Sequence, residues 1–248
     1  MDLISIILPY YKKKKYIQKT IESVINQTYQ NFELILIYDD VDQSDLEFLM
    51  KISRADKRIR VILNKKNLGA GYSRNKAIKL SKGRYIAFID ADDLWHKKKL
   101  ELQLKIMKKN KFHISHCSYE IIDKKGNFLT TRKARNFTTY ESLLKSCDIG
   151  LSSVILKKNI LNKDLKFPNL QTKEDFVLWL KLLKKKYKIM AIDKKLVKWR
   201  KLDNSLSTST FQKLSDGLKV YNVYMEYNFL TSMYLLFCLS INFLRKNG

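Results

Sequence analysis

Tyr85-Ile86-Ala87-Phe88-Ile89-Asp90-Ala91-Asp92-Asp93-Leu94-Trp95 runs from residues of strand character straight into three clustered carboxylates. An apolar strand that ends in acids delivers them to the edge of a sheet, where open α/β sheets bind ligands. Three like charges so close repel one another unless a cation sits among them, and hard oxygen ligands suit Mg²⁺ or Mn²⁺ bridged to a phosphate. The plainer account is a helix cap. Asp93 could cap a helix over Leu94 to Met107, but one cap takes one carboxylate and leaves Asp90 and Asp92 unexplained.

Outward from this stretch the first half alternates strand and helix signals. Leu3 to Leu8, Phe32 to Tyr38, Ile59 to Leu63 and Arg84 to Ile89 read as strands. Between them, Tyr16 to Ile25, Leu46 to Ile52 and Tyr72 to Leu80 read as helices, the first with Ile17, Ile21, Val24 and Ile25 on one side. This alternation predicts βαβ units and an α/β fold with a mostly parallel sheet flanked by helices. Polar or acidic residues follow three of the strands, at Tyr10-Tyr11, Asp39-Asp40 and Asp90 to Asp93, so all three clusters fall at one sheet edge.

The second half is more mixed. Phe112 to Ile122 reads as a strand leading through a turn at Lys124 to Asn127 into another near Phe128 to Thr131. Ser152 to Leu156, Lys188 to Ile192 and Leu196 to Trp199 read as short strands, and Thr172 to Lys185 as an apolar helix. Beyond Ser205 the chain turns helical and aromatic. Asn228 to Leu244 carries no charge for 17 residues before Arg245-Lys246, which is short of the usual spanning length and reads as a helix packed on the domain or lying in a membrane interface.

The chain of 248 residues is 45% hydrophobic, enough for a proper core, and its 7 glycines and 2 prolines argue against disordered linkers. Lys+Arg 49 against Asp+Glu 24 gives a net charge of +25. That balance raises acidic partners, yet the lysines are dispersed in short runs such as Lys12 to Lys15, which suits a solvated surface or an anionic membrane better than a nucleic-acid groove. No specific nucleic-acid partner is expected. Cys117, Cys147 and Cys238 are odd in number and far apart, the pattern of thiols in a reducing cytoplasm, and Met1-Asp2-Leu3 enters a strand with no signal peptide. His113 and His116, three apart on a strand, would point to opposite faces, which disfavours zinc.

Several segments together resemble the family 2 glycosyltransferases, inverting enzymes of the GT-A fold, which is Rossmann-like, that use nucleotide-diphosphate sugars. The resemblance is carried by Ile4 to Tyr11, by Tyr16 through Thr28-Tyr29, by Phe32 to Asp40, by Asn67-Leu68-Gly69 and Ser73-Arg74-Asn75, and by Gly83 to Trp95. Glu174-Asp175 and Trp199-Arg200 extend it to about residue 207. It implies a GT-A domain over residues 1–207, with a nucleotide half to 110 and an acceptor half from 111, and a C-terminal helical extension over 208–248.

The resemblance also implies roles. Asp39, with Asp40 and Pro9 beside it, would contact the uracil or ribose of a UDP-sugar donor, and Tyr11 would flank the base. Asp90-Ala91-Asp92 would be the Asp-x-Asp signature, with Asp92 and Asp90 toward Mn²⁺ or Mg²⁺ and Asp93 positioning ribose, metal water or sugar. Arg74 would reach donor phosphate or be a surface cation. Asp175, helped by Glu174, would be the general base for an acceptor hydroxyl, against the plainer reading of Thr172-Lys173-Glu174-Asp175 as a capping box. Trp199-Arg200 with Ser205-Leu206-Ser207 would close over the pyrophosphate, although Leu202 stands where the family often has histidine. By the same resemblance the acceptor would be a surface glycan or a lipid-linked saccharide, and the location the cytoplasmic face of a bacterial inner membrane.

Two other readings stay open: a nucleotidyltransferase, whose expected glycine-rich loop is absent from Pro9-Tyr10-Tyr11-Lys12, and a non-catalytic nucleotide or glycan binder of the same fold. Gly69-Ala70-Gly71 looks superficially like a dinucleotide fingerprint, but Arg74 holds the third glycine position.

Overall fold

The computed structural model describes residues 1–202 and 210–247. Its elements in chain order are β1 (Ile4–Tyr10), α1 (Lys14–Ile25), β2 (Phe32–Tyr38), α2 (Leu46–Ala55), β3 (Ile59–Leu63), α3 (Ala70–Leu80), β4 (Tyr85–Phe88), β5 (Leu94–Trp95), α4 (Lys99–Lys109), β6 (Ile114–Ile122), β7 (Phe128–Arg132), α5 (Tyr140–Leu144), β8 (Ile155–Lys157), α6 (Glu174–Lys184), β9 (Ile189–Arg200), α7 (Thr210–Lys219) and α8 (Phe229–Asn247). Every strand and helix predicted in the first ninety or so residues is present, with small shifts at the ends.

One sheet runs β3-β2-β1-β4-β8-β6-β9-β5, with β7 paired to β6. The first four strands are parallel, as βαβ connections require. Beyond them the sheet is mixed: β6 and β9 pair in parallel, while β8 runs antiparallel to β4 and β6, β7 folds back on β6, and β5 runs antiparallel to β9. Alternate residues of the central strands feed two cores. Ile7, Ile35, Ile37, Ile86 and Phe88 face α3, α6 and the C-terminal helices. Ile6, Leu8, Leu34, Leu36, Ala87 and Ile89 face α1 and α4, where Ile17, Ile21, Val24, Leu100, Leu104 and Met107 are buried. This is the helix–sheet–helix layering that strands apolar on both faces demand.

Two expectations are corrected. The helix predicted from Leu94 begins at Lys99, because Leu94 and Trp95 pair with Lys198 and Val197 of β9 and the Trp95 indole N–H donates to the Ser152 carbonyl at 2.9 Å. The two short strands predicted over 188–199 are one strand, and the register against β6 shifts between Cys117↔Ile192 and Ser118↔Lys195, which breaks the alternation in the sequence. The C-terminal helices share the α6 core through Val220, Tyr221, Leu235, Leu236 and Leu239. The boundary at 207 and 208, and Ser205-Leu206-Ser207, lie outside the described residues.

Candidate active site

The parallel strands set their carboxyl ends side by side. Tyr10 pairs with Tyr38, while β1 pairs with β4 only as far as Ile7↔Phe88. The Ile89 N–H still donates to the Ile7 carbonyl at 3.1 Å, and past it Pro9, which has no N–H to donate, lies on the unpaired flank of β1 at the strand ends, where open α/β sheets form their ligand crevice. Tyr11 follows β1 and is 37% exposed, with Lys12 over one side of its ring. On the other flank of β1, Asp39 is buried and its N–H donates to the Tyr10 carbonyl at 2.8 Å. Its Oδ1 accepts from Asn64 Nδ2 (2.7 Å) and the Leu68 N–H (2.8 Å), and its Oδ2 accepts from the Gly69 N–H (2.8 Å). Asp39 therefore shapes the loop that starts α3, and it keeps acceptor capacity to spare on Oδ2. Asp40 accepts from the Asp42 N–H at 3.2 Å and is buried.

Gly69 and Gly71 have separate backbone reasons to be glycine. Gly69 has φ +85°, and a Cβ on Gly71 would stand 2.8 Å from the Pro168 carbonyl oxygen. Such close packing brings α3 against the segment that leads into α6, and Asn75 closes it by donating to the Phe167 carbonyl (2.8 Å) while accepting from the Phe167 N–H (3.0 Å).

The three acids after β4 receive three different treatments. Asp90 pairs with Arg74 at 2.8 Å. Asp92 pairs with Lys13 at 2.8 Å, and burial raises its pKa while Lys13 opposes the rise. Asp93 is 1% exposed; its carboxylate accepts from the Ser152 hydroxyl (2.5 Å) and the Arg200 N–H (2.9 Å). Burial and then the charges of Asp92 and Asp90 push its pKa well above the carboxylate range. Direct contact of Asp93 with donor or metal water, expected from the sequence, does not fit this burial, and neither does a helix cap. Asp93 instead ties β9 and Ser152 beneath the other two acids, with the Ser152 oxygen also accepting from the Asp90 N–H at 3.0 Å.

Arg74 is neither a surface cation nor open to solvent. Its guanidinium is buried and bridges Asp90 to Glu174 at the start of α6. Burial works against its charge, but Asp90 and Glu174 outweigh burial and raise its pKa. The capping box is likewise corrected. Lys173 precedes α6 with φ +62°, Glu174 turns to Arg74, and the Thr172 hydroxyl donates to Asp216 of α7 at 3.1 Å. Asp175 accepts from the adjacent Phe176 N–H at 2.7 Å. Burial first, and then the Glu174 charge, push the Asp175 carboxyl up to about 7.

Arg200 and Trp199 part company, since successive strand residues face opposite ways. The Arg200 guanidinium lies over the Tyr16 ring, donates to the Asp92 carbonyl at 2.9 Å and donates to the Asp123 carbonyl at 3.1 Å. Trp199 lies half-buried on the other face, with Tyr119 and Ile121 of β6 on its side of the sheet. The sequence reading missed Lys13, Asn64, Asn75, Ser152 and Asp216. Asn75 stood inside a quoted motif, but the others had no signal beyond residue type.

Among the described residues no cluster of three or more His, Cys, Asp or Glu is arranged to hold an ion. The protein offers two carboxylates, Asp92 and Asp90, at the crevice, each already neutralised by one basic side chain. Two hard oxygen donors fit Mg²⁺ or Mn²⁺ when donor phosphates and water complete the shell, the usual arrangement for such ions.

Residues 5–166 match a family described as "Glycosyl transferase family 2". The chain belongs to glycosyl transferase family 2. This glycosyltransferase is 38% identical over 239 residues to UDP-Glc:alpha-D-GlcNAc-diphosphoundecaprenol beta-1,3-glucosyltransferase WfgD of Escherichia coli, covering 94% of this chain and 91% of the relative. It is 36% identical over 216 residues to WfaP of Escherichia coli, a UDP-Glc:alpha-D-GlcNAc-diphosphoundecaprenol beta-1,3-glucosyltransferase like WfgD, covering 86% of this chain and 83% of that one. Among solved structures, Staphylococcus aureus TarS 1-349 in complex with UDP-GlcNAc superposes with a TM-score of 0.72 at 21% identity, covering 95% of this chain and 70% of that chain. The mannosyltransferase PcManGT from Pyrobaculum calidifontis, in complex with GDP-Man and Mn²⁺, gives 0.68 at 11% identity, covering 96% and 72%. The fold of this glycosyltransferase is the GT-A fold.

Proposed function

We propose that this glycosyltransferase moves a hexose from a UDP-sugar, with UDP-glucose the first donor to test, to a hydroxyl of a lipid-linked saccharide, with inversion at the anomeric carbon. The observation that carries the reading is the chain Glu174–Arg74–Asp90, which fixes the start of α6, and with it Asp175, to the acids at the strand ends. Base and donor site are thereby held in one rigid unit. Support for the substrates comes from the two Escherichia coli relatives, which are named for a UDP-glucose donor, a β-linked product and a diphosphoundecaprenol-linked acceptor.

Asp175 takes the proton of the acceptor hydroxyl as that oxygen bonds to the anomeric carbon. The bond from that carbon to the β-phosphate oxygen breaks on the opposite face, and its electron pair leaves on UDP. A carboxylate lifted to about 7 is matched to this task, since a base works best near the operating pH. Mn²⁺ or Mg²⁺ at Asp92 and Asp90 would supply positive charge to the departing diphosphate. Asp39, Asp40, Pro9 and Tyr11 serve the nucleoside, Arg200 fixes the backbone of Asp92 through its carbonyl, and Trp199 serves the donor side.

The acceptor reading favours peripheral binding at an anionic membrane, on the cytoplasmic side where nucleotide sugars are made. Among the described residues no helix is long and apolar enough to cross a membrane. α8 nevertheless has two apolar faces: Ser232, Leu235, Leu236 and Leu239 pack inward, while Leu230, Met233, Tyr234, Phe237 and Leu244 are exposed. Lys145 and Lys213 lie over the rings of Tyr234 and Phe243 at its border. An apolar strip edged by cations, on a chain of net charge +25, suits a headgroup layer.

The test is release of UDP from a panel of UDP-sugars with a short-chain GlcNAc-diphosphate lipid. Turnover that requires acceptor supports the proposal. UDP binding without any turnover would favour a non-catalytic binder.

A further inference from the structure

Lys12 to Lys15 read from the sequence as a solvated run, but the four lysines go to four different places. Lys12 lies over the Tyr11 ring, Lys14 pairs with Asp45 at 2.9 Å, and Lys15 lies over the Tyr16 ring. Lys13 turns inward and places its Nζ 2.8 Å from Asp92 Oδ2, with both side chains mostly buried.

From this geometry we infer that Lys13 is a surrogate cation: it neutralises Asp92 in the donor-free enzyme, competes with the divalent ion for that carboxylate, and moves to the donor diphosphate when metal and nucleotide enter together. The inference rests on the proposed role of Asp92 as metal ligand.

Three features distinguish Lys13 from the other cations of the site. Arg74 is buried and held by two carboxylates, and Arg200 is held by two backbone carbonyls, so neither can leave without stranding partners. Among the described residues Lys13 has one ion-pair partner, and its ammonium sits on a flexible four-carbon stem. Its backbone is fixed meanwhile, because its carbonyl accepts from the Tyr16 N–H (2.9 Å) and the Ile17 N–H (3.0 Å) at the start of α1. The head can therefore swing while the helix stays still.

A consequence follows for binding. An ion on Asp92 repels the ammonium that already sits 2.8 Å from its Oδ2, so metal alone must push Lys13 away or bind beside a like charge, and it binds weakly. When UDP arrives with the metal, the displaced ammonium meets phosphate oxygens. Metal and nucleotide then bind cooperatively, and by linkage each strengthens the other by the same factor.

Isothermal titration of the full chain measures Mn²⁺ alone, UDP alone, and UDP at saturating Mn²⁺ in wild type, Lys13→Met, Lys13→Arg and Asp92→Asn. Lys13→Met is expected to bind Mn²⁺ alone about five- to fiftyfold more tightly and to lose a similar factor from the Mn²⁺–UDP coupling, within the usual range of such couplings. Lys13→Arg, which restores the cation, should return both toward wild type and shows that the effect is one of charge. Unchanged or weaker Mn²⁺ binding by Lys13→Met, with UDP binding still dependent on Mn²⁺ and on Asp92, overturns the Lys13 inference alone. UDP binding indifferent to Mn²⁺ and to Asp92→Asn overturns the metal reading and this inference with it.

Discussion

Asp175→Asn separates a catalytic carboxylate from a structural one, because the two roles move stability and rate in different directions. Asparagine keeps the shape of the side chain and an oxygen that accepts from the Phe176 N–H, so the start of α6 is preserved. Loss of a positioned base lowers transfer by roughly 10² to 10⁴-fold, or about 3 to 5 kcal/mol of barrier. The stability effect has the opposite sign. The carboxyl rises from 3.8 to about 7 on folding, so the folded state holds a proton that the unfolded state releases between those values. Stability from this group is full below about pH 4 and is lost as pH rises through about 7. At pH 8.5 the charged Asp175 costs at most about 4 kcal/mol, and its residual exposure and local relaxation reduce this to about 1 to 2 kcal/mol. The variant should therefore unfold at higher denaturant than wild type at pH 8.5, and the difference should vanish near pH 4. Urea unfolding at the two pH values, alongside UDP-release kinetics, checks both. Near wild-type transfer, or a lower midpoint at pH 8.5, refutes the assignment of Asp175 as a half-buried base with a raised pKa.

Other outcomes follow from the same contacts. Arg74→Gln strands Glu174 and Asp90 without their shared cation and should destabilise the protein by about 3 kcal/mol in urea unfolding, with transfer lost as well. EDTA should weaken UDP binding in wild type, and Asp92→Asn should reproduce that loss and be insensitive to EDTA; equal wild-type affinity with EDTA and with Mn²⁺ would sink the metal reading. Leu230→Glu with Phe237→Glu on the exposed strip of α8 should abolish sedimentation with anionic vesicles while leaving the melting temperature unchanged, since neither side chain is buried. Vesicle binding that survives the double change assigns the strip to another partner.

Much of this architecture was legible because the first half of the chain obeys local rules. The strands Phe32–Tyr38 and Ile59–Leu63 are short runs that are apolar apart from Glu33 and Arg60, and their limits are those read from the sequence. Local pattern failed where tertiary pairing overrode it. Leu94 and Trp95 carry a helix-compatible sequence but are captured by β9, which arrives a hundred residues later. The acids at the strand ends could be located but not sorted. Their sorting depends on Lys13, Arg74 and Ser152, which come from three distant segments and converge only in the fold. The capping box failed for a similar reason, because Asp216 of α7 takes the Thr172 hydroxyl that the local motif would have used. Residue type and spacing thus located the site, while its charge pairing is a property of long-range contacts.

The central claim is an inverting transfer that depends on Asp175, and product stereochemistry tests it most directly. Incubation of UDP-glucose, whose sugar is α-linked, with a GlcNAc-diphosphate lipid and Mn²⁺ should give one β-glucosidic linkage per UDP released, read from the anomeric proton coupling by NMR, and Asp175→Asn should give none. An α-linked product, or a β-linked product formed equally well by Asp175→Asn, contradicts the account.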